Sequence, residues 1–178
     1  MIQLARLGDL VQSFPVIASL ATQYPHRSLD LLCAASLADL ARLFPKVGHV
    51  VKWNGAQWHA WAESFAGEFQ PSRLREVEQY LAELTTEPYA MAYVLNHHPR
   101  AILAATLLAT EVQGPNLRGP LDEELSPWAS YLHHVAQTRC SNRIHLSDTF
   151  CGLCGVTPPP VPPVLRLPSI VLPSDLAE

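Results

Sequence analysis

The feature that most constrains this chain is a repeated alternation of short apolar runs with stretches whose apolar residues recur every three or four positions. The first run is Ile2-Gln3-Leu4-Ala5, followed by a Leu7-Gly8-Asp9 turn. From there Leu10, Phe14, Ile17, Leu20 and Tyr24 keep the period of a helix with one buried face. Tyr24-Pro25 ends it, because proline disfavours helical geometry in the residue before it. Residues 28–34 read as a buried strand, 37–44 as a short helix and 47–53 as a third β segment. Residues 54–69, with Trp58, Trp61, Phe65 and Phe69, predict a helix that ends in a loop near Gly67. A helix over about 72–86 places Leu74, Val77, Leu81 and Leu84 on one face. Residues 89–95 form the clearest strand of the chain. It runs into Asn96-His97-His98-Pro99, a helix over 100–110 and a short strand over 111–114. Two further helices are expected over about 127–138 and 145–154.

This succession predicts βαβ units and an α/β fold of the Rossmann-like, doubly wound kind with a mainly parallel sheet. Ligands of such sheets bind beyond the carboxyl ends of the strands. The segments 7–9 and 96–99 each follow a strand and precede a helix, so they are the first places to look for a site.

Composition narrows the class. With 48% hydrophobic and 16% charged residues in 178, the chain has ample apolar surface for a core and is no disordered segment. A net charge of −4 and a pI near 6.0 supply no field for a polyanion, which argues against a nucleic-acid partner. No apolar run approaches the roughly 18 residues of a membrane-spanning helix, and the first residues lack the pattern of a secretory signal. The expected location is cytoplasmic. Cys33, Cys140, Cys151 and Cys154 fall one early and three late in a chain too large to need disulfide staples, so all four are read as thiols. From Thr157 the composition shifts: seven of the sixteen prolines lie between Pro158 and Pro173. The expected organisation is a domain over 1–156 and a proline-rich linker over 157–178, the first half of a longer architecture.

Within that frame, Gln3-Leu4-Ala5-Arg6-Leu7-Gly8-Asp9-Leu10-Val11, with Pro15 beyond it, resembles the opening of glycosyltransferase family 9. These are the heptosyltransferases of lipopolysaccharide core assembly, whose first strand runs into a Leu/Met-Gly-Asp-Val turn and a helix carrying a proline. Tyr24-Pro25, Leu29-Asp30-Leu31-Leu32, Ala38-Asp39-Leu40 and Phe44-Pro45-Lys46-Val47 follow the rhythm of the next segment. Val94-Leu95-Asn96-His97 is similar to a "V-I-N-L" strand end. Asn142-Arg143-Ile144-His145-Leu146-Ser147-Asp148 with Leu153-Cys154-Gly155-Val156 is similar to a late "N-x-H-x-x-D … L-x-G" stretch. The sequence departs from the family in two ways: the family's first strand begins a few residues earlier, and its second Rossmann-like domain has no counterpart here.

The resemblance implies the acceptor-binding N-terminal half of a GT-B enzyme. Transfer would be inverting and metal-independent, with no cofactor beyond the donor. ADP-heptose would be held by a C-terminal donor domain, and the acceptor would be a Kdo- or heptose-bearing lipid, with peripheral contact at the inner face of the inner membrane. It also makes Asp9 the general base and Gly8 part of the substrate-binding turn.

Read from the residues, Asp9 has a competing structural role. With Gln12 three positions on, it fits an N-cap in a variant capping box, and a helix N-terminus favours a carboxylate. Arg6 is either an anion-binding fork or a solvated strand-end charge. His97 and His98 are candidate hydrogen-bond donors to sugar hydroxyls, with one of the two expected to face the cleft. They lack the partners of a zinc site. Arg100, just inside the next helix, is a second anion-binding candidate. Cys151 and Cys154 form an isolated CxxC, read as buried thiols. His145 and Asp148 suit a local cap, and Trp58 and Trp61 suit core packing. Two other classes stay open: a non-catalytic carbohydrate- or partner-binding α/β domain, and a redox or metal protein built on Cys151 and Cys154.

Overall fold

A computed structural model describes residues 1–65, 71–117, 123–124, 126–138, 140 and 142–165. Five apolar segments form parallel strands: β1 (Ile2–Gln3), β2 (Leu29–Ala34), β3 (Val47–Trp53), β4 (Tyr89–Tyr93) and β5 (Ala109–Gln113). β1 pairs with β2 and β2 with β3, while β4 pairs with β5. The two groups meet through a parallel bridge between Ile2 and Val94, backed by a hydrogen bond from the Leu95 N–H to the Ile2 carbonyl at 3.1 Å. The strand order is therefore 3-2-1-4-5, and it reverses direction between β1 and β4.

Side-chain alternation along the strands separates the core into two faces. Leu31, Cys33, Val50, Tyr93 and Leu95 point to one side and Ile2, Leu32, Val51, Trp53, Ala92 and Val94 to the other. The first face is covered by α1 (Leu7–Gln12), α2 (Phe14–Gln23), α3 (Ala38–Ala41), α7 (Pro127–Gln137) and α8 (Leu146–Leu153). The second is covered by α4 (Gly55–Phe65), α5 (Pro71–Leu84) and α6 (Pro99–Leu108). Phe14, Val16, Ile17 and Leu20 put the apolar stripe of α2 into the first face, each burial contributing roughly 1.5–3 kcal/mol. Close approach explains two glycines. Gly114 has φ +104 and sits where a Cβ would lie 2.3 Å from the Val94 carbonyl. Gly152 lets α8 meet the ring of Trp128 on α7, which a Cβ would reach at 2.3 Å.

The doubly wound, parallel α/β expectation holds, with local corrections. The single helix expected from Leu10 to Tyr24 is two. Pro15 has no N–H for the ladder and its ring crowds the preceding turn. The chain breaks at Ser13, whose hydroxyl donates to the Leu10 carbonyl at 2.6 Å. The segment 7–9 is the first turn of α1 rather than a loop. The helix expected over 37–44 is a 3-10 turn (Ala35–Leu37) followed by the one-turn α3. A two-stranded antiparallel ribbon, β6 (Asn116–Leu117) with β7 (Glu123–Glu124), was not foreseen. The loop expected near Gly67 and Phe69, and the linker beyond residue 165, lie outside the described residues. Residues 157–165 carry no helix or strand; Ser19 holds their start by donating to the Thr157 carbonyl at 2.8 Å, and Leu165 packs against the first face. No helix among the described residues is long and apolar enough to cross a membrane.

Candidate functional site at the strand-order reversal

After β1 the chain turns to a helix on the first face, and after β4 to a helix on the second. The two connections diverge and leave a crevice at the carboxyl ends of the central strands. A cavity of about 320 Å³ occupies it. Its walls come from the end of β1 and the start of α1 (Gln3, Leu4, Ala5, Asp9) and from the segment after β4 (Asn96, His97, His98, Arg100). Ala34 and Trp53, the last residues of β2 and β3, extend the wall, and α7 and α8 supply Leu132 and Phe150.

Asp9 is half-buried and occupies N3 of α1, not the N-cap expected from its pattern with Gln12. The helix starts earlier because Arg6 is the extended N-cap residue (φ −77, ψ 169). One Asp9 carboxylate oxygen accepts a hydrogen bond from the Arg6 backbone N–H at 3.2 Å, the reach-back half of a capping box. Structural and site positions therefore coincide in one side chain. Arg6 and Gly8 are exposed and do not line the cavity, and a Cβ at Gly8 would meet open space.

Both histidines line the cavity, where one was expected to, because they lean to different helices. The His97 Nδ1 lies 3.2 Å from His133 Nδ1 on α7, and the rings meet edge-on at 4.3 Å. His98 is the N-cap of α6: its Nδ1 accepts from the Arg100 backbone N–H at 3.2 Å. Partial burial, and then the Arg100 guanidinium, lower the His98 pKa. The ring is thus neutral near pH 7, and Arg100 is the cation of this wall. A neutral imidazole and a guanidinium together suit a hydroxyl-rich, anionic ligand.

The connections are held where they diverge. Backbone N–H groups running off the end of β1 need partners. Asn96 provides them: in the amide orientation that satisfies it, its oxygen accepts from Leu4 N–H at 3.1 Å and Ala5 N–H at 3.0 Å. Sequence reasoning did not single out Gln3 or Trp53. Both close a strand in the 3-2-1-4-5 order, which is the signal that marks them. Trp53 stacks on Trp58 at 4.7 Å, with Tyr80 and Trp61 edge-on nearby, so Trp58 and Trp61 belong to core packing as expected.

The remaining motifs are structural. His145 caps α8 by accepting from the Ser147 N–H at 3.3 Å. The four cysteines are free thiols. Burial pushes Cys33 and Cys151 up to about 11 and Cys154 higher still, so these three are poor nucleophiles and poor metal ligands as they stand. Among the described residues no three His, Cys, Asp or Glu side chains are placed to hold a metal ion.

No family model and no curated protein matches this sequence. Two solved structures match in fold. E. coli heptosyltransferase WaaC with ADP-2-deoxy-2-fluoro heptose superposes with a TM-score of 0.59 at 15% identity, covering 90% of this chain and 49% of that one. The same enzyme with ADP gives 0.59 at 16% identity, covering 90% and 48%. The fold is that of half a GT-B heptosyltransferase. The chain spans about half the length of the WaaC chains it matches. At this identity the likeness establishes architecture, and the residues of the crevice must carry any argument about chemistry.

Proposed function

We propose that this chain is the acceptor-binding half of a heptosyltransferase-like, inverting and metal-independent glycosyltransferase, of the kind its sequence resembles. The observation that carries the reading is a half-buried carboxylate, Asp9, lining the crevice at the strand-order reversal opposite a neutral imidazole and a guanidinium. A sugar hydroxyl is a weak nucleophile until its proton has an acceptor within hydrogen-bond reach. Asp9 takes that proton as the hydroxyl oxygen bonds to the anomeric carbon of the donor. The bond from that carbon to the diphosphate oxygen breaks, and ADP leaves with the electron pair. His97 and His98 hydrogen-bond acceptor hydroxyls and Arg100 pairs with an acceptor carboxylate or phosphate, while Arg6 and Gly8, outside the cavity lining, are substrate-binding residues only by the resemblance. ADP-heptose belongs to a companion C-terminal domain joined through the proline-rich segment, and the acceptor is a Kdo- or heptose-bearing lipid at the cytoplasmic face of a membrane.

The test joins this chain to the donor-binding half of a heptosyltransferase and replaces Asp9→Asn. Asparagine still accepts from the Arg6 N–H but cannot take a proton. ADP release should fall at least 100-fold with an unchanged melting temperature. Transfer at the wild-type rate would remove Asp9 from the mechanism.

A further inference from the structure

One side chain in the crevice has a polar end that the protein leaves without a partner. Gln3 is fully buried on the two-residue strand β1, paired with Cys33 of β2, where a β-branched residue would pack at no polar cost. In the orientation in which the Asn96 oxygen clamps Leu4 and Ala5, the end of the Gln3 amide that faces it at 3.1 Å is the Nε2, donating to that oxygen; in the opposite orientation the same end is Oε1 and accepts from the Ala5 N–H at 3.3 Å. One end of Gln3 is thereby fixed against the β1–β4 junction. The opposite end of the amide is buried and makes no hydrogen bond in either orientation. A buried polar group left unpaired is costly, and such groups are uncommon in folded proteins. Gln3, Ala5, Asp9 and Asn96 all line the same cavity.

We propose that Gln3 is a ligand-binding residue of this crevice: the unpaired end of its amide hydrogen-bonds a hydroxyl of the acceptor sugar and holds that sugar beside Asp9. The inference rests on the acceptor-site reading above and adds the residue that orients the sugar. A hydroxyl both donates and accepts, so it satisfies this amide whichever of its two atoms faces the cavity. The anchor at Ala5 and Asn96 keeps Gln3 from swinging away when the site is empty, so the orientation is set before the ligand arrives. The cost of the unpaired group in the free protein is then recovered on binding.

The experiment is a calorimetric titration of this chain with a Kdo oligosaccharide, for the natural sequence and for Gln3→Met, which keeps length and flexibility without the amide. Gln3→Met should bind about 5- to 10-fold more weakly, while its ligand-free melting temperature stays level or rises because an unpaired polar group has gone. A purely structural glutamine gives the reverse, a lower melting temperature with unchanged affinity, and overturns the proposal. The natural chain also reports directly: the Gln3 side-chain amide signals in a nitrogen-15 spectrum should shift on saturation. If Asp9 and His98 shift while the Gln3 amide does not, Gln3 holds only a trapped water, and the acceptor reading survives without it. If the oligosaccharide binds neither protein, the acceptor reading fails and this proposal with it.

Discussion

The parallel sheet has a cavity at each end, and the two contrast in what their carboxylates are doing. At the amino end, about 410 Å³ opens between β2 and β4, lined by Leu29, Asp30, Tyr89, Met91 and the first residue, Met1. Asp30 there is fully engaged by the protein. It accepts from the Ser28 hydroxyl at 3.2 Å, the His49 N–H at 3.0 Å and the Tyr89 hydroxyl at 3.1 Å. Burial, and then the Asp30 charge, push Tyr89 up to about 12, so it remains a donor to that carboxylate. At the carboxyl end the cavity is smaller, about 320 Å³, yet Asp9 there has a single hydrogen bond, from a backbone N–H. Size alone would choose the amino end. A carboxylate that accepts three hydrogen bonds from its own fold stabilises that fold, while one that accepts a single bond, in a cavity also lined by an imidazole and a guanidinium, keeps lone pairs open.

Removing each carboxylate should separate the two roles. Asp30→Ala removes the charged acceptor of the part-buried Tyr89 hydroxyl and returns the exposed His49 N–H to water, and urea unfolding should show a loss of about 2–3 kcal/mol. A loss below about 0.5 kcal/mol would break the contrast.

The next effect is pH-dependent and belongs to the amino end. In a chain that begins at Met1, the buried terminal amine donates to the Asp30 carbonyl at 2.8 Å, and desolvation pushes its pKa down from 8.0 to about 6. Between those values the unfolded chain binds more protons than the folded one, so stability rises with pH across that window and is lost as pH falls through it. The expected change is about 2–3 kcal/mol. Acetylating the amine should remove this part of the slope in denaturant titrations at several pH values; an identical slope would mean that the amine is hydrated. The smallest expected change is at the carboxyl end, where Asp9→Asn should alter stability by less than about 0.5 kcal/mol, the cost of one exposed helix-dipole interaction.

Much of this architecture was legible because each strand carries its own period. The runs that became β2 to β4 alternate or stay apolar over the right lengths, whereas β5 starts two residues earlier than expected, in what reads as the end of a helix, and the order of strands and helices leaves few topologies open. The break at Ser13 was not legible: Pro15 occupies the second position of α2, and the same residue in a kinked continuous helix would keep the same spacing of Leu10, Phe14 and Ile17. The strand ends of the site were findable by rule, since segments 7–9 and 96–99 both follow strands, although 7–9 is a helix start and not a loop. Gln3 was not, because a glutamine in a two-residue strand has no local signature. Its meaning arises only when Asn96 is brought beside it across the β1–β4 junction. Asp9 shows the opposite limit: the same residue satisfies a helix end and a cavity wall, so no local pattern separates the two roles.

The proposed function places the acceptor at the carboxyl end of the sheet. Chemical-shift mapping of this chain with a Kdo oligosaccharide, followed by ADP-heptose, tests it directly. The oligosaccharide should move the signals of Asp9, Asn96, His97, His98 and Arg100 and leave those of Asp30, Tyr89 and Met91 in place, and ADP-heptose alone should move neither set. Perturbations centred on Asp30 and Tyr89, or saturable ADP-heptose binding at the β1–β4 crevice, would contradict it.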